Sequence, residues 1–185
     1  MTPLETLMEE HQLILRTIAS LKNFAGKVQN GDDLPLSDLA GFTRFICQFA
    51  DRSHHGKEED ILFQAMIAFG FPVDGGPLAV MLADHDQGRI HSRALSEAAD
   101  ATEWTTELRT TVADNAFGYA SLLVGHIDKE DNILYPMSQA HVPQERMDQM
   151  VDEFVDFNEN SVGSVEIEEL RALAESLTEK YPPVE

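Results

Sequence analysis

Two ten-residue segments of this chain carry histidine and glutamate at the same spacing. Residues 54–63 read HHGKEEDILF and residues 126–135 read HIDKEDNILY, so both follow the pattern HxxKE(E/D)xIL(F/Y). The histidine and glutamate of HxxxE lie one helical turn apart and project from one face, so both side chains can reach the same metal ion. The two segments therefore indicate an internal duplication that supplies metal ligands.

The duplication extends to a histidine on the helix that precedes each segment. His11 in EEHQL comes before the first segment, and His85 in ADHDQ comes before the second. The chain thus forms two helix pairs, each offering one histidine from its first helix and a histidine with a glutamate from its second. The predicted metal ligands are His11, His54, Glu58, His85, His126 and Glu130.

Apolar residues recur at three- and four-residue steps along four long segments, which predicts four amphipathic helices. We predict these helices over residues 3–29, 37–70, from 77 onward and 103–135, and two shorter helices over residues 143–158 and 165–180. Long helices with short connections favour an up-down four-helix bundle. The predicted fold is therefore all-α, with a bundle over residues 1–141 and a helical extension over residues 142–185 packed on it.

The six predicted ligands all occupy inward positions of the helical stripes. Burying two carboxylates and four imidazoles without partners is very costly, and bound metal ions remove that cost. The alternative is a polar core in which these residues pair with one another across the bundle. The remaining polar candidates are expected outside the site, with His55, His91 and His141 at the surface, Glu59 and Asp131 solvated, and Tyr119 in the apolar core.

Charge and composition exclude several classes of function. The chain has 33 Asp and Glu against 13 Lys and Arg, a formal net charge of -20, which repels nucleic-acid phosphates and anionic membrane surfaces. The N-terminus lacks the pattern of a signal peptide, and no apolar run has the length of a membrane span. The lone Cys47 cannot form an internal disulfide. We therefore expect a cytoplasmic protein with no nucleic-acid or membrane partner.

The order H...HxxxE...H...HxxxE resembles the hemerythrin HHE cation-binding family over roughly residues 5–140. Ferritin-like di-iron bundles differ, because they use Glu-x-x-His pairs with additional carboxylates. The resemblance implies a non-haem di-iron centre with two iron ions and an oxo or hydroxo bridge. His11 and His54 would bind one iron, His85 and His126 would bind the other, and Glu58 and Glu130 would bridge them. The mixed nitrogen and oxygen ligands also tolerate manganese or zinc.

One residue departs from the pattern of the oxygen-carrying hemerythrins. Those proteins have a second histidine one turn after the third-helix ligand, where this chain has Arg89. Without it, each metal receives two histidines and two carboxylates, and both metals keep room for solvent or substrate. The chain is in this respect more similar to the di-iron proteins linked to stress response and repair of iron centres than to the oxygen carriers.

Three classes of function remain open. The first is a di-iron protein that binds iron and reacts with or senses oxygen, nitric oxide or peroxide. The second is a di-iron enzyme with peroxidase or nitric-oxide-reducing activity. The third is a structural or interaction bundle. We expect a small diatomic or peroxide ligand, and a protein partner or reductase that the sequence does not identify.

Overall fold

The computed structural model describes residues 1–183. Within this range the chain forms six helices and no β-strand, which confirms the predicted all-α fold. Helix α1 is Pro3–Gln29, α3 is Gly76–Ala99, α5 is Gln144–Ser161 and α6 is Ser164–Lys180. Helices α2 and α4 are longer and each contains π-helical turns.

Helix α2 begins at Leu36 and ends at Ala68, and helix α4 begins at Thr106 and ends at His141. From its N-terminus, helix α2 begins with the α-helical segment Leu36–Arg44. The π-helical segments Phe45–His55 and Glu58–Leu62 follow, and the helix ends with the α-helical segment Phe63–Ala68. Helix α4 consists of Thr106–Lys129, the π-helical segment Glu130–Leu134 and Tyr135–His141. A five-residue π-helical segment therefore begins at the glutamate of each HxxxE motif.

The ends of the helices follow from local sequence. Thr2 caps α1 in a capping box with Glu5, and Gly31 follows α1 with φ of 102°, as a helix stop requires. Thr105 caps α4 by accepting a hydrogen bond from the Leu108 amide at 3.1 Å. Helices α2 and α6 begin at Leu36 and Ser164 without a side-chain cap.

The four long helices alternate in direction around a core that has three layers. An apolar layer at one end contains Leu7, Leu62, Met81 and Leu134, and an apolar layer at the other end contains Ile14, Phe49, Leu95 and Leu123. Along each helix, the predicted metal ligands fall between these two layers. The polar residues therefore form a buried middle layer that crosses the whole bundle.

The two C-terminal helices pack on the bundle and extend both apolar layers. Met147, Met150 and Phe154 of α5 join the first layer, and Leu170 and Leu177 of α6 join the second. The predicted packing of two extra helices on the bundle is therefore observed. The domain boundary between residues 141 and 142 stays a prediction. Among residues 1–183, no helix is long and apolar enough to cross a membrane.

Candidate metal centre

The middle layer contains two groups of side chains that could each hold a metal ion. One group is His11, His54, Glu58 and Glu130, and the other is His55, Glu58, His85 and His126. Within each group the ligand atoms lie within 4.8 Å of one another, and every member is buried. The structure thus brings the six predicted ligands together, adds His55, and places Glu58 in both groups.

The inward-facing nitrogens and oxygens of this cluster lie close together. His11 Nε2 and His126 Nε2 are 3.3 Å and 3.2 Å from the same oxygen of Glu130. His85 Nε2 is 3.5 Å from Glu58 Oε2 and 3.1 Å from His126 Nε2. Glu130 therefore reaches one histidine of each group, as a carboxylate between two metal ions would.

The outward-facing Nδ1 atom of each predicted histidine ligand lies beside a carboxylate. The pairs are His11 with Asp131 at 2.8 Å, His54 with Glu10 at 2.8 Å, His85 with Glu59 at 2.6 Å, and His126 with Asp84 at 3.4 Å. Each carboxylate can accept a hydrogen bond from Nδ1–H, which fixes the tautomer and leaves the lone pair on Nε2. Metal-binding histidines in proteins are held in this way.

This arrangement places lone pairs opposite lone pairs in the centre of the cluster. Oε2 of Glu58 and both carboxylate oxygens of Glu130 accept no hydrogen bond from any of residues 1–183. Buried carboxylate oxygens without a donor are costly, and the Nε2 lone pairs of His85 and His126 repel each other at 3.1 Å. Divalent cations between these atoms satisfy all of them at once. The residues present therefore fit a metal centre.

The lysine in each HxxKE motif stabilises this outer layer. Lys57 contacts Glu10, which accepts from His54, and Lys129 contacts Asp84, which lies beside His126. Glu10 and Asp84 each immediately precede the histidine ligand of the first helix in a pair. The duplication therefore includes the residues that orient the ligands, as well as the ligands themselves.

Comparison with known sequences agrees with this geometry. A family model for the hemerythrin HHE cation binding domain matches residues 2–138. The chain belongs to this family. The predicted resemblance is thereby confirmed for the family, and the matched residues contain every predicted ligand of the centre.

Relatives of this hemerythrin HHE protein include uncharacterized proteins of Mycobacterium bovis and of two strains of Mycobacterium tuberculosis. Each is 25% identical to it over 133 residues, which cover 71% of this chain and 51% of the relative. The chain spans about half the length of these curated relatives. No solved structure matches this chain.

Burial and charge set the protonation of the metal-free hemerythrin centre. Burial raises the pKa of Glu58 well above its usual value, and the charge of Glu130 raises it further. Burial also disfavours the charged form of Glu130, but contacts with His11 and His126 outweigh it and lower the pKa of that carboxyl. Without metal, the two facing carboxyl groups therefore share one proton, which Glu58 holds.

A second proton resides on His11 in the metal-free protein. Burial alone would lower the pKa of His11, but its contacts with Asp131 and Glu130 outweigh burial and raise that pKa to about 9. His54 differs, because burial outweighs its hydrogen bond to Glu10 and lowers its pKa to about 4. The His54 imidazole is therefore already neutral at pH 7, as a metal ligand must be.

The structure corrects two expectations about neighbouring residues. His55 was expected at the surface, but it is 4% exposed and lies in one of the two ligand groups. Glu59 and Asp131 were expected to be solvated, but their side chains are only 24% and 19% exposed and contact His85 and His11. The expectation for Tyr119 holds, because it is buried in the apolar core.

Two functional contacts had weak signals in the sequence. Tyr135 ends the repeated motif, where Phe63 stands in the other copy, and its hydroxyl donates to Glu58 Oε1 at 2.6 Å. The sequence signal for this contact was the difference between the two copies, which end in Phe63 and in Tyr135. For His55, the signal was Ile127, which occupies the equivalent position of the second copy and is buried.

Proposed function

We propose that the cluster is a non-haem di-iron centre whose bound iron reacts with or senses oxygen, nitric oxide or peroxide. The observation that supports this proposal is the pair of ligand groups that share Glu58, because a shared carboxylate can bridge two adjacent metal ions. The five imidazoles and two carboxylates of these groups form a mixed nitrogen and oxygen set, which suits iron. Family membership supports iron as the natural metal.

Bound iron would supply electron exchange with a small oxidant, and the residues around it would set the conditions for that exchange. The outer carboxylates keep each Nε2 directed at the centre, and the apolar layers on either side exclude bulk water. Neither task requires movement of the chain. The centre is therefore held in its binding geometry by the fold itself.

Tyr135 is the proton donor that lies nearest to the centre. Its hydroxyl is 2.6 Å from Glu58 Oε1 and 3.3 Å from His11 Nε2. Burial raises the pKa of Tyr135 well above its usual value, and the charge of Glu58 raises it further. Tyr135 therefore stays protonated at neutral pH, and it can hold a proton beside Glu58 Oε1.

The surroundings of the centre favour a ligand of a few atoms. The ligand side chains are buried within the bundle, and a small cavity beside His55 and His85 is lined by Gly88, Ser92 and Tyr119. The volume of this cavity is about 10 Å³, about the room that one water molecule needs, so the surroundings of the centre exclude a large organic substrate. The basis for proposing a role in stress response or iron-centre repair, with electrons supplied by a separate reductase, is the resemblance to di-iron proteins that lack a histidine at the position of Arg89.

The test is to load the protein with iron(II) without oxygen and then add oxygen, nitric oxide or hydrogen peroxide in separate experiments. We expect at least one of them to change the absorption spectrum in proportion to bound iron. The variant His126→Ala, which loses a ligand, should give little change. Identical spectra before and after all three additions would refute the proposed reactivity while leaving metal binding intact.

A further inference from the structure

His55 is buried beside the cluster, at the end of the π-helical segment Phe45–His55. Consecutive residues of an α-helix point in directions about 100° apart, and a bundle helix can bury both, as α4 buries His126 and Ile127. In the first copy of the motif, His54 and His55 are likewise only 1% and 4% exposed. π-Helical turns inside α-helices are frequent at functional sites.

His55 belongs to one of the two groups of side chains that could hold a metal ion. Its ligand atom lies within 4.8 Å of those of Glu58, His85 and His126. Its ring stacks on the His85 ring with centroids 3.9 Å apart and planes 14° apart. The two rings therefore lie side by side, and His55 belongs to the same ligand group as His85.

His55 also shares the outer contacts of the other histidine ligands. Its Nδ1 lies 3.4 Å from Asp51 Oδ1, so Nε2 is the nitrogen available for metal. Arg89 donates to Asp51 at 2.9 Å and to Glu59 at 2.7 Å, and thereby holds the carboxylates beside both His55 and His85. His91 and His141 instead lie beside an amide oxygen and a backbone carbonyl.

We propose that His55 is a fifth histidine ligand, so that one metal is held by three histidines and the other by two. His55, His85 and His126 would bind the first ion, His11 and His54 the second, and both glutamates would bridge. In the oxygen-carrying hemerythrins the third histidine comes from the position of Arg89. Here a residue of helix α2 takes that role, and Arg89 positions it through Asp51.

This inference rests on the proposed metal centre, and it proposes two unequal metals in place of the expected equivalent pair. An ion with three histidines and two bridging carboxylates has little room for a further ligand, whereas one with two histidines keeps more. The small molecule would therefore bind at the ion held by His11 and His54, on the side where the Tyr135 hydroxyl lies 3.3 Å from His11 Nε2.

The first test is Mössbauer spectroscopy of the full chain loaded with two equivalents of iron-57(II) without oxygen. Unequal nitrogen coordination should give two quadrupole doublets of equal area. A single doublet would mean that the two irons are equivalent and would overturn the proposal. This measurement uses the unaltered protein, so it does not depend on whether a variant folds.

The second test compares iron binding by His55→Ala with binding by His91→Ala, the matched control. We expect His55→Ala to retain one iron and to bind the other at least about tenfold more weakly, since even outer contacts of metal ligands affect affinity by about 10–100-fold. His91→Ala should bind both as the parent does. Two unchanged affinities in His55→Ala would overturn the role of His55 alone, whereas a parent protein that binds no iron would overturn the metal centre itself.

Discussion

The contact between Glu10 and Lys57 is the part of the outer layer whose loss should be most costly. Lys57 is fully buried and Glu10 is 3% exposed. One oxygen of Glu10 accepts from Lys57 and the other accepts from His54. Glu10→Gln replaces one of these oxygens with an NH2 group, so a donor then faces a donor and the buried ammonium loses its counter-charge.

Breaking a buried ion pair by removing one partner costs about 3–5 kcal/mol. For a chain of this size each kcal/mol lowers Tm by about 2–4 °C, so Glu10→Gln should lower Tm by roughly 6–20 °C. The equivalent change in the other repeat, Asp84→Asn, should cost about 0–1 kcal/mol, because Lys129 can turn to water. The Lys129 side chain is 38% exposed. Lys129 and His126 both contact the same oxygen of Asp84.

The assay is thermal and urea unfolding of metal-free protein, which separates this effect from metal binding. The double variant of Glu10→Gln with Lys57→Met should be more stable than Glu10→Gln, because it removes the stranded ammonium. Comparing the free energy of unfolding of the double variant with those of the two single variants gives the coupling energy between Glu10 and Lys57. Equal losses for Glu10→Gln and Asp84→Asn would refute the reasoning, which expects the buried ion pair to lose far more stability than the exposed one.

Two further predictions concern metal affinity and packing. Metal must displace the proton that His11 holds with a pKa of about 9 and also the proton on Glu58. The apparent Zn²⁺ affinity should therefore rise by at least about tenfold per pH unit between roughly pH 6.5 and 8.5, and a pH-independent affinity in calorimetry would contradict this. Gly56→Ala should destabilise metal-free protein by about 1–3 kcal/mol, because its Cβ would lie 2.6 Å from the Phe157 ring. Gly125→Ala, whose Cβ meets open space, should be neutral or stabilising by urea unfolding.

The sequence predicted the fold well because the helical signals were strong and local. Apolar periodicity predicted α1 over residues 3–29, which the structure matches, and short loops left an up-down bundle as the natural packing. The duplicated HxxxE motif led to six residues that the structure brings together. Their inward positions follow from helical periodicity alone, without any long-range information.

The parts that the sequence did not predict depend on departures from that periodicity or on contacts between helices. His55 lies one residue off the apolar stripe of α2, which predicted a surface position, although Ile127 at the equivalent position of the other copy is buried. The outer carboxylates Glu59 and Asp131 lie at the edge of the core, and their partners come from other helices. Helix α4 continues through Pro136 because that proline lies in the first turn after a π-helical segment, where its missing N–H costs little.

The measurement that tests the central claim most directly is the iron content of the full chain after anaerobic incubation with iron(II) and removal of unbound metal. The two ligand groups that share Glu58 predict about two irons per chain, together with a Tm above that of the chelator-treated protein. Less than about half an iron per chain, with the same Tm before and after chelation, would contradict the claim. It would mean that the buried histidines and glutamates form a polar core held by protons rather than by metal.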